Sequence, residues 1–296
     1  MTHRTALAVV LISGVAVVRG AIGQEPPPRP ALVGLDHVAY KIGDAAAARR
    51  FYGDLLGYPV VVPRAAGDPL IVRVSSRQTL VLEPGVPASV EDRLSHVAIA
   101  TSDLSALKVY LAARGIAAAG PAQERCGRMA LRTTDPDGHT IEFVQEDVIR
   151  AEPSAASAIA SRVLHTGIAV RSESAAHAFY REVLGLQEIW RGGAEPPKTS
   201  WVNMRLPEST DYIEYMLNDV PPTRRQLGSQ HHAALLVPDM QAAWETVRAR
   251  TPAAQRATLQ PPRIGRNNRW QLNLFDPDGT RMELMEGAVT RVKTEG

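Results

Sequence analysis

The sequence has little of three features that would narrow its structure or its partners. Cys126 is the only cysteine among 296 residues, so no disulfide can form within the chain and stability must come from packing. The 33 basic and 31 acidic residues leave a net charge of +2, which argues against a nucleic-acid or polyanion binder. The apolar run at 6–18 is shorter than the roughly 20 residues that span a bilayer. The length suffices for two domains with sizeable cores.

The N-terminus has the pattern of a targeting segment. Basic residues within 1–4, the apolar run and the small residues Ala21 and Gly23 predict a secretory signal peptide at 1–23, cut before Gln24. A proline-rich spacer follows at 24–31. We therefore expect a periplasmic or secreted protein with no stable membrane insertion after cleavage; a membrane anchor is the alternative.

One pattern occurs four times and organises the rest of the chain. Each copy has a histidine at the head of an apolar strand, a cap-type residue seven places later, an amphipathic stretch and short β-like runs, the last of which carries a glutamate. The histidine–glutamate pairs are His37 and Glu83, His96 and Glu142, His165 and Glu214, and His232 and Glu283, separated by 46, 46, 49 and 51 residues. Repeats this regular indicate one supersecondary unit duplicated twice.

Each unit is predicted to be βαβββ. In the first, Leu32–Lys41 has the alternation of a strand, and Asp44 can cap the helix that follows. A tight hairpin turn with the sequence Asp-Pro-Asp-Gly occurs at 135–138 and again at 276–279, just before the last strand. The segment 218–229 is expected to be a loop. We predict an α+β fold of four βαβββ modules with curved mixed sheets: domain 1 at 32–150, a linker at 151–160, domain 2 at 161–288 and a tail at 289–296.

The repeated histidines and glutamates suit metal binding. If a unit curls into half a cup, its histidine and glutamate point into the same concave face, and two units bring two imidazoles and two carboxylates together. That donor set suits a divalent transition metal. Duplication could copy a structural residue, but it gives no packing reason to keep ionisable pairs in apolar strands. The spacing to the cap selects His232 over His231; His139 is expected at the surface, and His177 has no partner that the sequence indicates.

At this point the chain resembles two domains of the vicinal oxygen chelate superfamily, which includes glyoxalase I, extradiol dioxygenases, methylmalonyl-CoA epimerase and the bleomycin and fosfomycin resistance proteins. The resemblance rests on the four histidine strand starts, on Phe51-Tyr52 with Leu56-Gly57 and Phe179-Tyr180 with Leu184-Gly185, and on the two Asp-Pro-Asp-Gly turns. It covers nearly all of residues 32–287 and is specific for the fold, whereas many chemistries share that fold.

The resemblance implies a divalent metal ion (Zn, Ni, Co, Mn or Fe(II)) that chelates vicinal oxygens of a small, oxygen-rich substrate and stabilises an enolate-like intermediate. The glyoxalase-type ligand set is two histidines and two glutamates per domain. By resemblance the ligands are His37, Glu83, His96 and Glu142 in domain 1, and His165, Glu214, His232 and Glu283 in domain 2. Glu142 or Glu283 would also act as the proton-transfer base.

Three functions stay open at this point. A metal-dependent lyase or isomerase is favoured by the four-ligand sets, an Fe(II) extradiol-type ring-cleaving dioxygenase would need only two histidines and the last glutamate, and a non-catalytic small-molecule binding or resistance protein would need neither chemistry. The export signal argues against glyoxalase I itself, because the glutathione adduct is made in the cytoplasm. We expect a monomer or homodimer.

Domain 2 also offers residues for substrate contact. They would suit an aromatic, oxygen-bearing or anionic substrate, although core aromatics and surface arginines are the simpler interpretation. The candidates are Trp190, Trp201, Tyr212, Tyr215, Trp270, Arg191, Arg263, Arg266 and Arg269.

Overall fold

The computed structural model describes residues 27–61, 65, 67–87, 89–90, 92–123, 128–146 and 155–287. The predicted signal peptide, Cys126, much of the predicted linker and the tail lie outside the described residues. Within those ranges, no helix combines the length and apolar character needed to cross a membrane.

Domain 1 is built on one mixed sheet of eight strands. The strands are β1 Leu32–Lys41, β2 Val60–Val61, β3 Leu70–Arg73, β4 Thr79–Glu83, β5 Leu94–Thr101, β6 Ala119–Gln123, β7 Met129–Thr134 and β8 Thr140–Gln145. Their order across the sheet is β2-β3-β4-β1-β5-β8-β7-β6. Each module is one half of the sheet, and the halves join where β1 and β5 pair antiparallel.

Domain 2 repeats this topology. Its strands are β9 Arg162–Val170, β10 Gln187–Gly192, β11 Trp201–Arg205, β12 Tyr212–Leu217, β13 His232–Val237, β14 Arg263–Ile264, β15 Trp270–Phe275 and β16 Arg281–Glu286. The order β10-β11-β12-β9-β13-β16-β15-β14 matches that of domain 1 strand for strand. The predicted α+β fold of four βαβββ modules is confirmed.

In the part of the chain that the structure describes, five α-helices lie in the connections. They are α1 Ala45–Arg49, continued by a π-helical Arg50–Leu55; α2 Leu104–Ala113; α3 Glu173–Ala176, continued by a π-helical His177–Val183; α4 Arg224–Gln230; and α5 Met240–Arg250, followed by a 3-10 turn at Ala253–Thr258. The four predicted caps, Asp44, Asp103, Ser172 and Asp239, each accept a hydrogen bond from a first-turn N–H. The expected loop at 218–229 instead contains most of α4.

Alternation along the central strands separates the core from the site. In β1, Val38 and Tyr40 point towards the helices and join one buried apolar cluster that runs through both domains. His37 has the opposite phase, because successive side chains of a strand face opposite sides. The histidines and glutamates of the repeat therefore lie on the sheet face away from the helices.

The two hairpin turns join the domains reciprocally. The Tyr52 hydroxyl of domain 1 donates to Asp276 of the domain 2 turn at 3.0 Å, and the Tyr180 hydroxyl of domain 2 donates to Asp135 of the domain 1 turn at 2.9 Å. We call these two contacts the clasps. The backbone N–H of Gly43 likewise donates to Asp278, and that of Arg171 to Asp137. A turn predicted only to close a hairpin thus also holds the neighbouring domain.

Candidate metal centres

Domain 2 brings two imidazole nitrogens together, with the two rings perpendicular to each other. His165 lies on β9 and His232 on the antiparallel neighbour β13, and their Nε2 atoms are 3.0 Å apart. Both residues are fully buried. Burial lowers the pKa of His165 and of His232, with His232 adding to the effect on His165 and Arg281 adding to the effect on His232. Both rings are thereby held neutral, which is the form that ligates metals.

Two carboxylates complete the domain 2 cluster. Glu214 on β12 lies 3.8 Å from His165 Nε2 and 3.5 Å from His232 Nε2. Glu283 on β16 lies 3.6 Å and 3.5 Å from the same two atoms. The structure therefore places all four residues predicted for this domain around one point.

The pKa values of the two carboxyls are shifted in opposite directions. Burial, reinforced by the Glu283 carboxylate, raises the pKa of Glu214 to about 8. Burial would also raise the pKa of Glu283, but the Arg281 charge and the neighbouring His232 outweigh it and lower that pKa to about 2. At neutral pH without metal, Glu214 carries the proton and Glu283 the charge.

Domain 1 gathers three of its four predicted ligands. His37 Nε2 and His96 Nε2 are 2.9 Å apart, and Glu142 lies 3.9 Å from the first and 3.5 Å from the second. Burial, with the neighbouring His37, lowers the pKa of His96 to about 3. Arg132 of β7 contacts Glu142 through Nε and Nη2, both at 3.1 Å.

The fourth predicted residue, Glu83, does not join this cluster. In domain 2, Glu214 pairs with Gly167, two residues after His165. In domain 1, the residue that pairs two places after His37 is Val81, whereas Glu83 pairs with Lys41. Glu83 thus occupies the position of Met216, about 7 Å further along the strand. The equal 46-residue gaps of the first two units conceal this offset, because a gap in sequence does not set strand register.

The groups behind the imidazoles also differ between the domains. In domain 1, Asp36 accepts a hydrogen bond from His37 Nδ1 at 2.7 Å and is paired with Arg128. Leu164 stands at the corresponding place in domain 2, and His165 Nδ1 is buried with no hydrogen-bond partner among the described residues. The His165 ring instead stacks on Tyr212 at 4.4 Å between centroids.

A cavity of about 510 Å³ opens onto the domain 2 centre. Glu214, Glu283 and Arg281 line its inner part. Arg281 Nη2 lies 2.8 and 3.0 Å from the His232 Nδ1 and Nε2 atoms. Because His232 Nδ1 donates to the Gln230 carbonyl at 2.9 Å, Arg281 can donate only to Nε2. Sequence reasoning missed Arg281, although it stands two places before Glu283 in β16 and so shares its face; that alternation could have identified it.

Only part of the predicted substrate-contact set lines this cavity. Trp190, Trp201, Arg263 and Arg266 do, together with Gln271 and Asn273, which the sequence did not single out. Tyr212 and Tyr215 are core residues instead, since both are almost wholly buried. Arg191 pairs with Glu173 and Glu188 on the surface, and Trp270 packs against the apolar core.

Three other histidines also find partners. His139 was expected at the surface, but its side chain is 9% exposed and contacts Asp135 at 2.8 Å. His231 contacts Asp92 at 2.7 Å, and its ring lies 5.0 Å from that of His139. His177 lies 3.8 Å from Glu188. The first two contribute to the contact between the domains rather than to either metal centre.

The donor chemistry of both clusters fits a divalent transition metal. Neutral imidazole nitrogens face each other beside carboxylate oxygens that are too distant, at 3.5–3.9 Å, for good hydrogen bonds. Domain 2 offers two nitrogens and two carboxylates, and domain 1 offers two nitrogens and one carboxylate, a combination that suits Fe(II).

Comparison with known proteins agrees with this geometry. The family described as the glyoxalase/bleomycin resistance protein/dioxygenase superfamily matches residues 34–143 and 162–284. None of the curated proteins matches the chain.

Solved structures with the same fold include extradiol dioxygenases. A variant of homoprotocatechuate 2,3-dioxygenase from Brevibacterium fuscum is 20% identical, with a TM-score of 0.69 over 88% of this chain and 72% of the other. The Arthrobacter globiformis homoprotocatechuate 2,3-dioxygenase is 20% identical, with a TM-score of 0.69 over 88% of this chain and 81% of the other. The 2,3-dioxygenase LapB from Pseudomonas sp. KL28 is 16% identical, with a TM-score of 0.68 over 91% of this chain and 97% of the other. At these identities the likeness concerns the fold alone.

Proposed function

Because the chain belongs to the glyoxalase/bleomycin resistance protein/dioxygenase superfamily, we propose that it is a divalent-metal-dependent lyase or isomerase whose reaction takes place in domain 2. His165, Glu214, His232 and Glu283 would hold the ion. Bound there, it would supply Lewis acidity for two neighbouring oxygens of a small substrate.

The position of Glu214 carries this proposal. It lies as close to the two imidazoles as Glu283 does, at 3.5 and 3.8 Å. A ring-cleaving dioxygenase needs room at its iron for both substrate and dioxygen, and a three-ligand set leaves that room. A fourth protein ligand removes one position, which favours chemistry that needs only the chelated substrate.

The two carboxyls suit proton relocation. Glu283, ionised beside Arg281, can take a proton from a substrate carbon and return it to another, whereas Glu214 would lose its proton on binding the ion and act as a ligand. An isomerisation removes one proton and returns one elsewhere on the substrate, so it needs no external oxidant or reductant. Burial of both carboxyls limits exchange with water.

Domain 1 is proposed to bind metal without turning over substrate. Val81 takes the place of Glu214, and Ile71 pairs with it where Asn203 pairs with Glu214. The Arg132 guanidinium already balances the charge of Glu142. These apolar substitutions remove polar groups that a substrate could use.

Metal content of single variants tests the assignment. The wild-type chain is expected to hold two equivalents of divalent metal, and Glu214→Gln to lose much of the metal affinity of domain 2, measured by elemental analysis and competition with a chelator. Glu83→Gln is the matched control, because it removes a glutamate of the same repeat that lies outside the cluster. Unchanged metal affinity and coordination in Glu214→Gln would contradict the four-ligand site.

A second candidate, an Fe(II) extradiol-type dioxygenase, is favoured by the shared fold of the solved dioxygenases and by the subset His165, His232 and Glu283. Oxygen uptake with a panel of catechols after anaerobic iron loading distinguishes it. Uptake that survives Glu214→Gln would favour the dioxygenase, whereas no uptake with any catechol would remove it.

Export is also proposed, on the sequence of residues 1–23. Expression of the full chain with fractionation, followed by mass determination of the N-terminus, should give a mature protein starting near Gln24 outside the cytoplasm. An intact N-terminus in the cytoplasm would contradict this.

A further inference from the structure

The mouth of the domain 2 cavity carries positive charge that no acidic side chain among the described residues pairs with. Arg263 and Arg266 line it and are exposed. Among the described residues neither forms an ion pair, and the only side-chain hydrogen bond from either is Arg266 Nη2 to the Ala194 carbonyl at 3.0 Å. That bond attaches the β14–β15 hairpin to the loop after β10. Arg191 of strand β10, by contrast, is paired with Glu173 and Glu188.

Two tryptophans line the cavity between this mouth and the metal ligands. The Trp190 ring lies against Gly192, where an added Cβ would be 2.5 Å from the ring. This close approach fixes the plane of the indole. Trp201, on the neighbouring β11, is half-buried and also lines the cavity. In domain 1 the residue in register with Trp201 is Pro69, so this aromatic lining belongs to domain 2 alone.

The inner end carries the carboxyl groups of the proposed metal ligands. Glu214 and Glu283 lie there, with Arg281 between cavity and ligands. Arg281 Nε is buried and has no hydrogen-bond partner among the described residues, so this guanidinium has a donor still to be satisfied. The volume of about 510 Å³ suits a ligand somewhat larger than a single ring.

We infer that the substrate of domain 2 is an aromatic or similarly planar molecule with a carboxylate at the end opposite its two chelating oxygens. Its ring would lie against Trp190 and Trp201, and its carboxylate would be bound by Arg263 and Arg266. Arginine binds carboxylates through paired N–H donors, which a neutral group cannot exploit equally. The inference rests on the proposed function, because it assumes that the other end of the substrate is held at the metal centre.

A pair of matched chelators tests it. The full chain is loaded with Co(II), and binding of 3,4-dihydroxybenzoate and of its neutral analogue 3,4-dihydroxybenzamide is followed by absorbance and calorimetry. The acid should bind about tenfold more tightly than the amide, and the preference should weaken at high salt. Arg263→Gln with Arg266→Gln should remove the preference and leave amide binding nearly unchanged. Arg49→Gln, an exposed arginine of domain 1, is the control for the loss of charge.

The outcomes separate the two proposals. If the acid and the amide bind the wild-type chain with equal affinity, and the double arginine variant binds them equally well, the carboxylate assignment is wrong. Metal chelation in domain 2 still stands in that case. If neither probe binds the Co(II)-loaded chain, the proposed function fails, and the assignment fails with it. A preference for the acid that persists in the double variant would place the carboxylate elsewhere and would also overturn the inference.

Discussion

At the scale of single residues, the domain 2 centre depends on a glycine, Gly167, which leaves room for the His232 ring. Gly167 pairs with His232 across β9 and β13, and a Cβ added at Gly167 would lie 2.1 Å from the His232 ring. In domain 1 the residue paired with His96 is Ala39, so that ring tolerates a methyl group beside it. The two centres therefore differ in how closely the second imidazole approaches the first strand.

Gly167→Ala should displace His232 and abolish most metal binding in domain 2, because no atom can occupy that space without moving the ring. We expect the metal content to fall from two equivalents to one and the free energy of unfolding to drop by about 1–3 kcal/mol. Ala39→Gly in domain 1 is the control and should keep both equivalents. Two equivalents retained in Gly167→Ala would show that His232 is not held as described.

Glu214 makes the metal-free chain sensitive to alkali. Its pKa in the folded chain is about 8, against an ordinary value of 4.5. Between these values the folded chain keeps a proton that the unfolded chain has lost, so stability falls as pH rises from 4.5 towards 8. The thermal midpoint of metal-free protein should decrease over this range, and Glu214→Gln should decrease less. The thermal midpoint of Glu83→Gln should depend on pH as that of the wild type does. If the thermal midpoint of Glu214→Gln shows the same pH dependence as the wild type, the assignment of the raised pKa to Glu214 is refuted.

At the scale of elements, the equivalent turn aspartates respond to pH in opposite senses. Burial raises the pKa of Asp276 to about 6. Burial would also raise the pKa of Asp135, but the hydrogen bond and charge of His139 outweigh it and lower it. The difference arises because Thr280 stands where the first turn has His139.

Asp276→Asn should therefore gain stability relative to wild type as pH rises from 3.8 to 6, because the wild type then pays for ionising a buried carboxyl. Asp135→Asn should do the reverse: it should be less stable than wild type at neutral pH, and the deficit should shrink in acid. Thermal midpoints by circular dichroism from about pH 2 to pH 7.5 measure both, with the Asp135→Asn effect expected below pH 3.8. Equal pH dependence of the two variants would exclude this account.

The central elements were predictable from sequence, and the edges were not. β1 has the bounds that its alternation indicates, and all four caps act as predicted, since both signals are local. The βαβββ repeat implies β6, β10 and β14, but their bounds were not predicted, because edge strands with exposed or small residues, such as Ala119–Gln123, lack an apolar face. The ligand types were also predictable, but the offset of Glu83 was not, since register depends on how the intervening hairpins pair.

At the scale of the whole molecule, the two domains share a single core. One buried apolar cluster runs through both, and the clasps add a hydrogen bond on each side of an approximate two-fold arrangement. Metal-free protein should accordingly unfold in one cooperative transition, with equal calorimetric and van't Hoff enthalpies. Two separated transitions would show that the domains are independent.

Tyr52→Phe combined with Tyr180→Phe tests how much the clasps contribute. Each change removes one donor from a buried carboxylate, so each should cost about 1 kcal/mol in denaturant titration, and the costs should add because the sites are distant. Phe51→Leu, next to a clasp tyrosine but outside the hydrogen bond, controls for packing. No loss in the double variant would mean that water replaces both hydroxyls.

The reciprocity of the turns has a consequence for how such a gene can change. After a duplication, one copy of an enzyme is usually free to drift. Here the turn of each half serves as a binding surface for a tyrosine of the other, so substitutions that erase the domain 1 centre do not release the segment around Asp135 from selection. A domain that has lost its catalytic activity would still be retained because it stabilises the other domain. Deleting it would unfold the catalytic domain.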